Sequence, residues 1–349
     1  MTVTIVADDL TGACDAGTLF AGKSPVPVAV WPDPAVAAPV SVVDTESRDL
    51  DAAEATRRVR RAIGPGARAG ASVWFKKIDS TLRGHAGAEL AALLRATGVS
   101  SALVCPAFPA QGRTVVDRQL FVNGEPRASV VDRLRPEVDR PLAWIPLGDV
   151  RAGGIALTAR VMRLAGMIAV ADAETDADLD ALLGAALALE APPLLAGSAG
   201  LARALAERLG LLAGPASLPT GRWLIVAGSL SPSTRRQIAE ARRAGLRVLA
   251  TPDAGRGDAA TAAAEVGAEA ARLLAAEPFD LVVVTGGETA VALYRALGAT
   301  RLDLVGAPQP GLALGWLGMP GRADLAVLTK AGGFGPPNLF VSLAREAGA

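Results

Sequence analysis

The chain has 349 residues, about two domains at ordinary domain size, and its 51% hydrophobic content excludes a disordered or tail-like protein. Lys plus Arg number 35 and Asp plus Glu 35, so no bulk charge draws the chain to nucleic acid or to an anionic membrane. Cys14 and Cys105 are too few for a disulfide framework and fit a reduced interior. The N-terminus has no basic region ahead of an apolar stretch, and no run of 18 or more uncharged apolar residues occurs, since even the apolar stretch Gly154–Ala171 carries Arg160 and Arg163. A soluble, cytoplasmic, two-domain protein is expected.

In chain order, Thr2–Ala7, Val26–Val30, Val40–Val43, Ser72–Phe75, Ala102–Cys105, Met167–Ala171 and Pro193–Ala196 read as strands. Most are continuous apolar runs, the pattern of strands covered on both faces. Helical spacing marks Ala13–Ala21, Asp51–Ile63, His85–Ala96 and Asp176–Leu189, while Asn123–Arg151 reads as a loop with a short strand. The linker-like segment Leu212–Gly221 suggests domains of 1–216 and 217–349. Beyond it the alternation restarts. Trp223–Ala227, Leu246–Ala250, Leu281–Thr285 and Leu325–Thr329 read as strands, and Pro232–Ala244, Ala259–Ala276, Thr289–Leu297 and Pro337–Arg345 as helices. This predicts an α/β fold of two domains, each a mostly parallel sheet flanked by helices. Ligands in such folds sit at the carboxyl ends of the strands.

Four N-terminal strand ends collect polar residues: Asp8-Asp9-Leu-Thr11-Gly12, Asp44–Arg48, Lys76–His85 and Pro106–Thr114. Their cations suit a carboxylate, and their Asp, Ser and Thr side chains suit hydroxyls, which together describe a small polyhydroxylated acid. Asp9 or Asp79 taken alone is more often a helix cap or turn residue; four such turns on one sheet favour a binding site. The C-terminal half offers Gly228-Ser229-Leu-Ser231, Thr285-Gly286-Gly287-Glu288-Thr289 and Lys330-Ala-Gly332-Gly333-Phe-Gly335. Glycines let the backbone approach a phosphate, and the free N–H groups of a helix start face an anion. A single Gly-rich turn is an ordinary connector; three with hydroxyls suggest a nucleotide cradle.

Gly17–Ser24 matches the Walker A pattern letter for letter. That motif must follow a strand and open a helix, whereas Gly17–Ala21 continues a helical run and Pro25-Val-Pro27 follows it, so Lys23 is expected on the surface. No G-x-G-x-x-G follows a strand, which weakens a dinucleotide reading. His85 is the only histidine, excluding multi-histidine zinc sites, and it opens a helix as a cap or an anion contact. Neither cysteine has a histidine nearby in sequence to make it a nucleophile. The acidic run Asp172–Asp180 caps and starts a helix, with Asp172 at a strand end.

Taken together, Ile5-Val-Ala-Asp8-Asp9-Leu-Thr-Gly12, Lys76–Gly84, Ala107-Phe-Pro109 with Gly112-Arg-Thr114, Gly197–Leu201, Gly228–Ser231, Thr285–Thr289 and Lys330–Gly335 resemble the four-carbon acid sugar kinase family. The likeness runs from the first strand to the last turn, in the family's order. It implies an N-terminal sugar-acid domain facing a C-terminal ATP domain across a cleft, with magnesium accompanying the nucleotide. By motif, Asp9, Arg48, Lys77, Ile78, Asp79, Ser80, Thr81 and Arg113 would hold the acid. Ser229, Ser231, Gly286, Gly287, Glu288, Thr289, Gly332 and Gly333 would hold ATP. Two departures are the short stretch between Ser231 and Thr285 and the absence of an Asp-Pro pattern after Asn123-Gly124.

The resulting expectation is phosphorylation of a terminal hydroxyl of a four-carbon sugar acid. Catalysis then falls to Asp79 or Asp9 as the group that orients or deprotonates the hydroxyl, with Lys77 and Arg113 offsetting developing charge. The metal ligands are left open. The partners expected are the acid and ATP, with no nucleic acid or membrane, and a homo-oligomer is compatible. A non-catalytic sensor of the same fold is the alternative, with a dehydrogenase third.

Overall fold

A computed structural model describes residues 1–33, 36–63, 72–228, 231–251 and 259–348. In chain order the elements begin with β1 (Val3–Ala7), α1 (Leu10–Gly17), β2 (Val26–Ala29), β3 (Val40–Asp44), α2 (Ala52–Ala62), β4 (Val73–Lys77), α3 (Ala86–Thr97) and β5 (Ala102–Cys105). There follow β6 (Arg113–Val116), β7 (Gln119–Val122), β8 (Glu125–Ser129), α4 (Val130–Leu134), β9 (Leu142–Ile145), α5 (Leu147–Ala152) and α6 (Gly154–Arg163). Then come β10 (Ile168–Ala171), α7 (Asp176–Leu187), β11 (Leu194–Gly197), α8 (Ala199–Arg208), β12 (Trp223–Ala227), α9 (Pro232–Arg243), β13 (Arg247–Ala250) and α10 (Ala259–Ala276). The last are β14 (Leu281–Thr285), α11 (Gly287–Ala296), β15 (Arg301–Gly306), β16 (Leu312–Gly318), β17 (Leu325–Lys330) and α12 (Leu339–Ala347).

The chain divides into two compact units, Met1–Leu19 with Trp31–Leu212, and Phe20–Val30 with Ala213–Ala349. The excursion of residues 20–30 has a plain cause: β2 pairs antiparallel with β15. In the first unit the strands run β3-β1-β4-β11-β5-β10-β9, every neighbour parallel. Every residue of β1, β3, β4, β5, β10 and β11 is buried, as continuous apolar runs require when both faces are covered. Helices α1 and α8 lie together on one face of β4. Side chains alternate along a strand, so Lys77 points to that face and Lys76 to the other, where α3 delivers Glu89.

That second face holds a buried ion pair, Lys76 Nζ to Glu89 Oε2 at 2.9 Å, both side chains essentially inaccessible. Ser47 Oγ donates to Glu89 Oε1, the Thr45 and Ser47 hydroxyls lie 2.6 Å apart, and Thr45 Oγ1 reaches Ala7 O at 2.8 Å. The Lys76 ammonium also donates to Lys77 O at 3.0 Å. Removing one member strands the other charge in the core. Lys76→Met and Glu89→Gln should each lower stability by about 3–5 kcal/mol in urea unfolding, and a pair of unchanged midpoints would contradict this.

The segment read as a loop with a short strand, Asn123–Arg151, instead contains β8, α4, β9 and α5. Strands β6-β7-β8 form a separate antiparallel sheet. Its turns are Asp117-Arg118 and Asn123-Gly124, all four residues at positive φ, the two-residue geometry that matches strand twist.

In the second unit β13-β12-β14-β17 are parallel, and β16, β15 and β2 extend the same order antiparallel. The expected parallel strands are present; β15 and β16 were not foreseen. In β15 only alternate residues are buried, and β16 carries Gly315 where a Cβ would lie 2.8 Å from Asp303 O. Trp223, Ile225, Val283, Leu328 and Phe340 form part of the core of this unit. Among the described residues no helix is long and apolar enough to cross a membrane.

Candidate active site

In the first unit the sheet register sets Asp44, Ala7, Lys77, Gly197 and Cys105 in one rank. The turns that follow β1, β3, β4 and β5 therefore leave the sheet at the same end. Asp9 caps α1, its Oδ1 accepting from Gly12 N at 2.8 Å, as Asp at this position does. Arg48 then binds both neighbouring carboxylates. Its Nε and Nη2 donate to Asp8 at 2.9 and 2.8 Å, and its Nη1 and Nη2 donate to Asp9 at 2.5 and 2.7 Å. Four of its five N–H groups are thereby committed.

The guanidinium favours the charged form of both carboxylates, and their other surroundings set them apart. Burial works against the charge of Asp8, but Lys76 and Arg48 outweigh it and hold the carboxyl below its ordinary range. For Asp9 burial prevails over Arg48, helped by the charge of Asp8, and the carboxyl is raised. Two carboxyls pushed apart are the usual arrangement of an acid–base site. Asp9 is also the more open, its side chain 23% accessible against 3% for Asp8.

Lys77 is buried and donates to Ile78 O at 3.1 Å. A Cβ on Gly12 would lie 2.5 Å from Asp9 Oδ1 and 3.2 Å from Lys77 Nζ, so the glycine is what lets α1 approach both groups. Gly84, at φ +78, comes close to Asp8 and Arg48 in the same way. The first three polar turns thus meet around Arg48.

Asp79 is bonded chiefly within its own turn. Its Oδ2 accepts from Thr81 N at 3.0 Å and Thr81 Oγ1 at 2.5 Å, and its Oδ1 accepts from Arg83 Nη2 at 2.7 Å. Burial would raise this carboxyl, but the bonds from Arg83 and Thr81 prevail and hold it well below the usual carboxylate range. It anchors the turn. Ile78 is buried with its N–H on Gly197 O, and the Ser80 hydroxyl has no partner among the described residues, leaving it open to a ligand.

Arg113 is not joined to these groups by any hydrogen bond or ion pair among the described residues. Its Nη1 donates to Gln111 O and Oε1 at 2.8 and 2.7 Å, while its Nε is buried without a partner. Its turn is held from Ser198, whose Oγ donates to Ala107 O at 2.9 Å. Asp172 accepts from the Asp117 and Arg118 N–H groups and fixes the hairpin turn. His85 lies between Glu137 Oε1 and Leu50 O, at 2.9 and 2.7 Å. Both cysteines are buried, and burial pushes the Cys105 thiol up to about 12.

Two further carboxyls belong to this region: Asp44, which heads the second polar turn, and Asp15, which the sequence reading does not single out. Asp44 is fully buried, with Oδ2 unpartnered among the described residues. Burial and the nearby Glu46, Asp9 and Asp8 keep its carboxyl well above the usual range. Asp15, further along α1, is pushed up to about 6 by burial, against the pull of Lys77. The signal for Asp15 was its place two turns after the Asp8-Asp9 pair.

The second unit brings its three turns to the ends of adjacent strands, β12, β14 and β17. Ser231 caps α9, with Pro232 in its first turn, and its Oγ donates to Gly332 O at 3.0 Å. Gly286 adopts φ +99 and opens α11 with no side-chain cap; its N–H donates to Lys330 O at 3.1 Å. The N–H groups of Gly287, Glu288 and Thr289 have no partner among the described residues, which makes an anion-receptive helix start. Glu288 is exposed and Thr289 buried, and a Cβ on Gly228 would meet Thr289 Oγ1 at 2.1 Å. Gly333 has open space around it. Ser229 lies outside the described residues.

The Walker-like stretch has the wrong geometry. Gly17 ends α1, a short 3-10 turn spans Thr18–Phe20, and the exposed Lys23 precedes β2. Lys23→Ala should leave turnover and the KM for nucleotide within about threefold of wild type; a hundredfold loss in steady-state kinetics would restore that lysine as a phosphate ligand.

Residues 3–205 match the family model described as a sugar-binding N-terminal domain, and residues 250–340 match a nucleotide-binding C-terminal domain. The chain is 31% identical to a D-threonate kinase of Salmonella typhimurium, covering 96% of each. It is 30% identical to a 3-oxo-tetronate kinase of Pseudomonas fluorescens, covering 96% of this chain and 94% of the relative. In fold it is similar to the crystal structure of a Haemophilus influenzae protein of family DUF1537, with TM-score 0.79 and 21% identity over 99% of this chain and 100% of that one. With two domain models matched in order and relatives aligned almost end to end, the chain belongs to the four-carbon acid sugar kinase family.

Proposed function

We propose that this protein is an ATP-dependent kinase that phosphorylates a terminal hydroxyl of a four-carbon sugar acid, with D-threonate the first substrate to test. The observation that carries the reading is the Asp8–Arg48–Asp9 arrangement beside the buried Lys77, in which Asp9 is the solvent-reaching carboxyl and is raised by burial and by the charge of Asp8. The names of the relatives support the substrate class. Residues 1–216 bind the acid in this reading and residues 217–349 bind ATP.

Phosphoryl transfer needs positioning and charge neutralisation more than covalent chemistry. Asp9 accepts the proton of the attacking hydroxyl, and Arg48 holds Asp9 in place. Lys77 offsets the charge that develops on the transferred group. The Ser80 hydroxyl and the backbone of the 78–81 turn, fixed by Asp79, bind the hydroxyls of the acid. Arg48 has a single uncommitted N–H, so it contributes one hydrogen bond to the acid rather than a two-pronged grip. In the second unit the N–H groups of Gly287, Glu288 and Thr289 receive phosphate oxygens, with Ser231, Gly332 and Gly333 lining the neighbouring turns. Magnesium accompanies the nucleotide in this reading, since it is ordinarily held by phosphate oxygens, waters and one or two carboxylates.

A coupled ADP-release assay over D-threonate, D-erythronate and 3-oxo-tetronate tests this reading. Acid-dependent ADP release with at least one of them is expected. Binding of acid and nucleotide without release would instead make the protein a sensor.

A further inference from the structure

We propose that Lys330 is a positioning residue that turns the 331–335 loop into an anion cradle, a role that rests on the nucleotide reading of the second unit. Lys330 ends β17, is 2% exposed, and donates to three carbonyls of the loop that follows it: Ala331 O at 2.8 Å, Gly332 O at 3.0 Å and Phe334 O at 3.1 Å. An ammonium has three N–H groups, and all three are spent on one short stretch of backbone.

The first turns of α9 complete the hold. Thr234 and Ser231 donate to Gly332 O, and the two N–H groups of Gln237 Nε2 are shared among Phe334, Gly335 and Pro336 O at 2.8, 3.0 and 3.0 Å. Five carbonyls between residues 331 and 336 therefore end on buried or half-buried donors. The N–H groups of Gly332, Gly333 and Gly335 have no partner among the described residues. A loop with five of its six carbonyls tied down has its N–H groups left for an anion. Lys330 also places the neighbouring turn, because its own carbonyl accepts the Gly286 N–H at 3.1 Å. One residue thus sets two of the three turns. It approaches the phosphates through backbone, whereas a P-loop lysine touches them with its side chain.

Burial alone pulls the ammonium of Lys330 down to about 8. The strand neighbours are Thr285 on β14 and Leu312 on β16, α9 presents Ser231 and Thr234, and the Glu288 side chain of α11 is exposed. No charged group among them offsets the burial. The hold should accordingly weaken as the lysine loses its proton.

The test is calorimetric titration of ADP into the full chain at pH 7 and pH 9, for wild type and for Lys330→Met, with acid binding followed in parallel. Wild type should bind ADP several-fold more weakly at pH 9. Lys330→Met should bind it roughly ten- to a hundredfold more weakly at pH 7, with no further loss at pH 9 and unchanged affinity for the acid. The wild-type pH titration stands even if the variant does not fold. Equal ADP affinity at both pH values, or a folded Lys330→Met variant that binds ADP like wild type, would overturn the proposal. Failure of wild type to bind ADP at either pH would remove the nucleotide reading and this proposal with it.

Discussion

Asp9→Asn should lower turnover by roughly a hundredfold to ten-thousandfold, the usual worth of a general base, and leave ADP affinity unchanged. Asn keeps the shape of Asp and caps a helix equally well, so the bond from Gly12 N and one bond from Arg48 survive. What is lost is the proton acceptor. The raised carboxyl of Asp9 adds a pH signature. A base works only when deprotonated, so kcat/KM of the wild type should fall as pH drops through that pKa, and Asp9→Asn should lack this acid limb. If the limb persists in Asp9→Asn and disappears in Asp15→Asn, the proton goes to Asp15, whose carboxyl sits at about 6 on the same helix. Asp79→Asn should behave differently. It removes the charge that anchors Arg83 and loosens the 78–81 turn, so the KM for the acid should rise more than turnover falls.

Gly286→Val should weaken nucleotide binding by roughly ten- to a hundredfold. At φ +99 and ψ 130 the position is accessible to glycine alone at low cost. A β-branched residue must move either the N–H that Lys330 O accepts or the start of α11, where three N–H groups await an anion. The acid should still bind, because the turns around Asp9 and Arg48 belong to the other unit. Equilibrium titration of both ligands against the folded variant separates these effects. Nucleotide affinity equal to wild type would show that the α11 start carries no phosphate.

Much of the fold was legible because the buried strands are uninterrupted. Ala102–Cys105, Trp223–Ala227 and Leu281–Thr285 were read at their observed bounds, since a short β-branched run between turn residues has no competing helical period. β16 was missed because Leu-Ala-Leu-Gly-Trp-Leu-Gly carries two glycines, which pack there against β15 rather than break the strand. The Asn123-Gly124 hairpin had its signal in the dipeptide itself, overlooked because its flanking strands are only four and five residues long.

In the site, residue type pointed to turns that the fold brings together, but not to the bonds made within them. Asp79 beside Lys77, Ser80 and Thr81 looks like a base on paper. In the fold its carboxylate accepts from Thr81 and Arg83 and so also anchors its own turn. Arg48 looks like a free cation, and two carboxylates from the turn after β1 occupy it. Such pairings join residues 40 positions apart and depend on strand order, which local patterns do not encode. Lys330 was visible as a letter in a Gly-rich motif, but its threefold hold on the loop exists only once the loop is folded.

Phosphorus NMR of the full chain mixed with ATP, magnesium and D-threonate, then with D-erythronate and 3-oxo-tetronate in turn, tests the central claim most directly. A phosphomonoester resonance should grow with one of these acids in step with ADP, and Asp9→Asn should nearly abolish its growth. ADP accompanied only by inorganic phosphate, or no turnover with any of the three acids, would contradict a kinase acting on a four-carbon sugar acid.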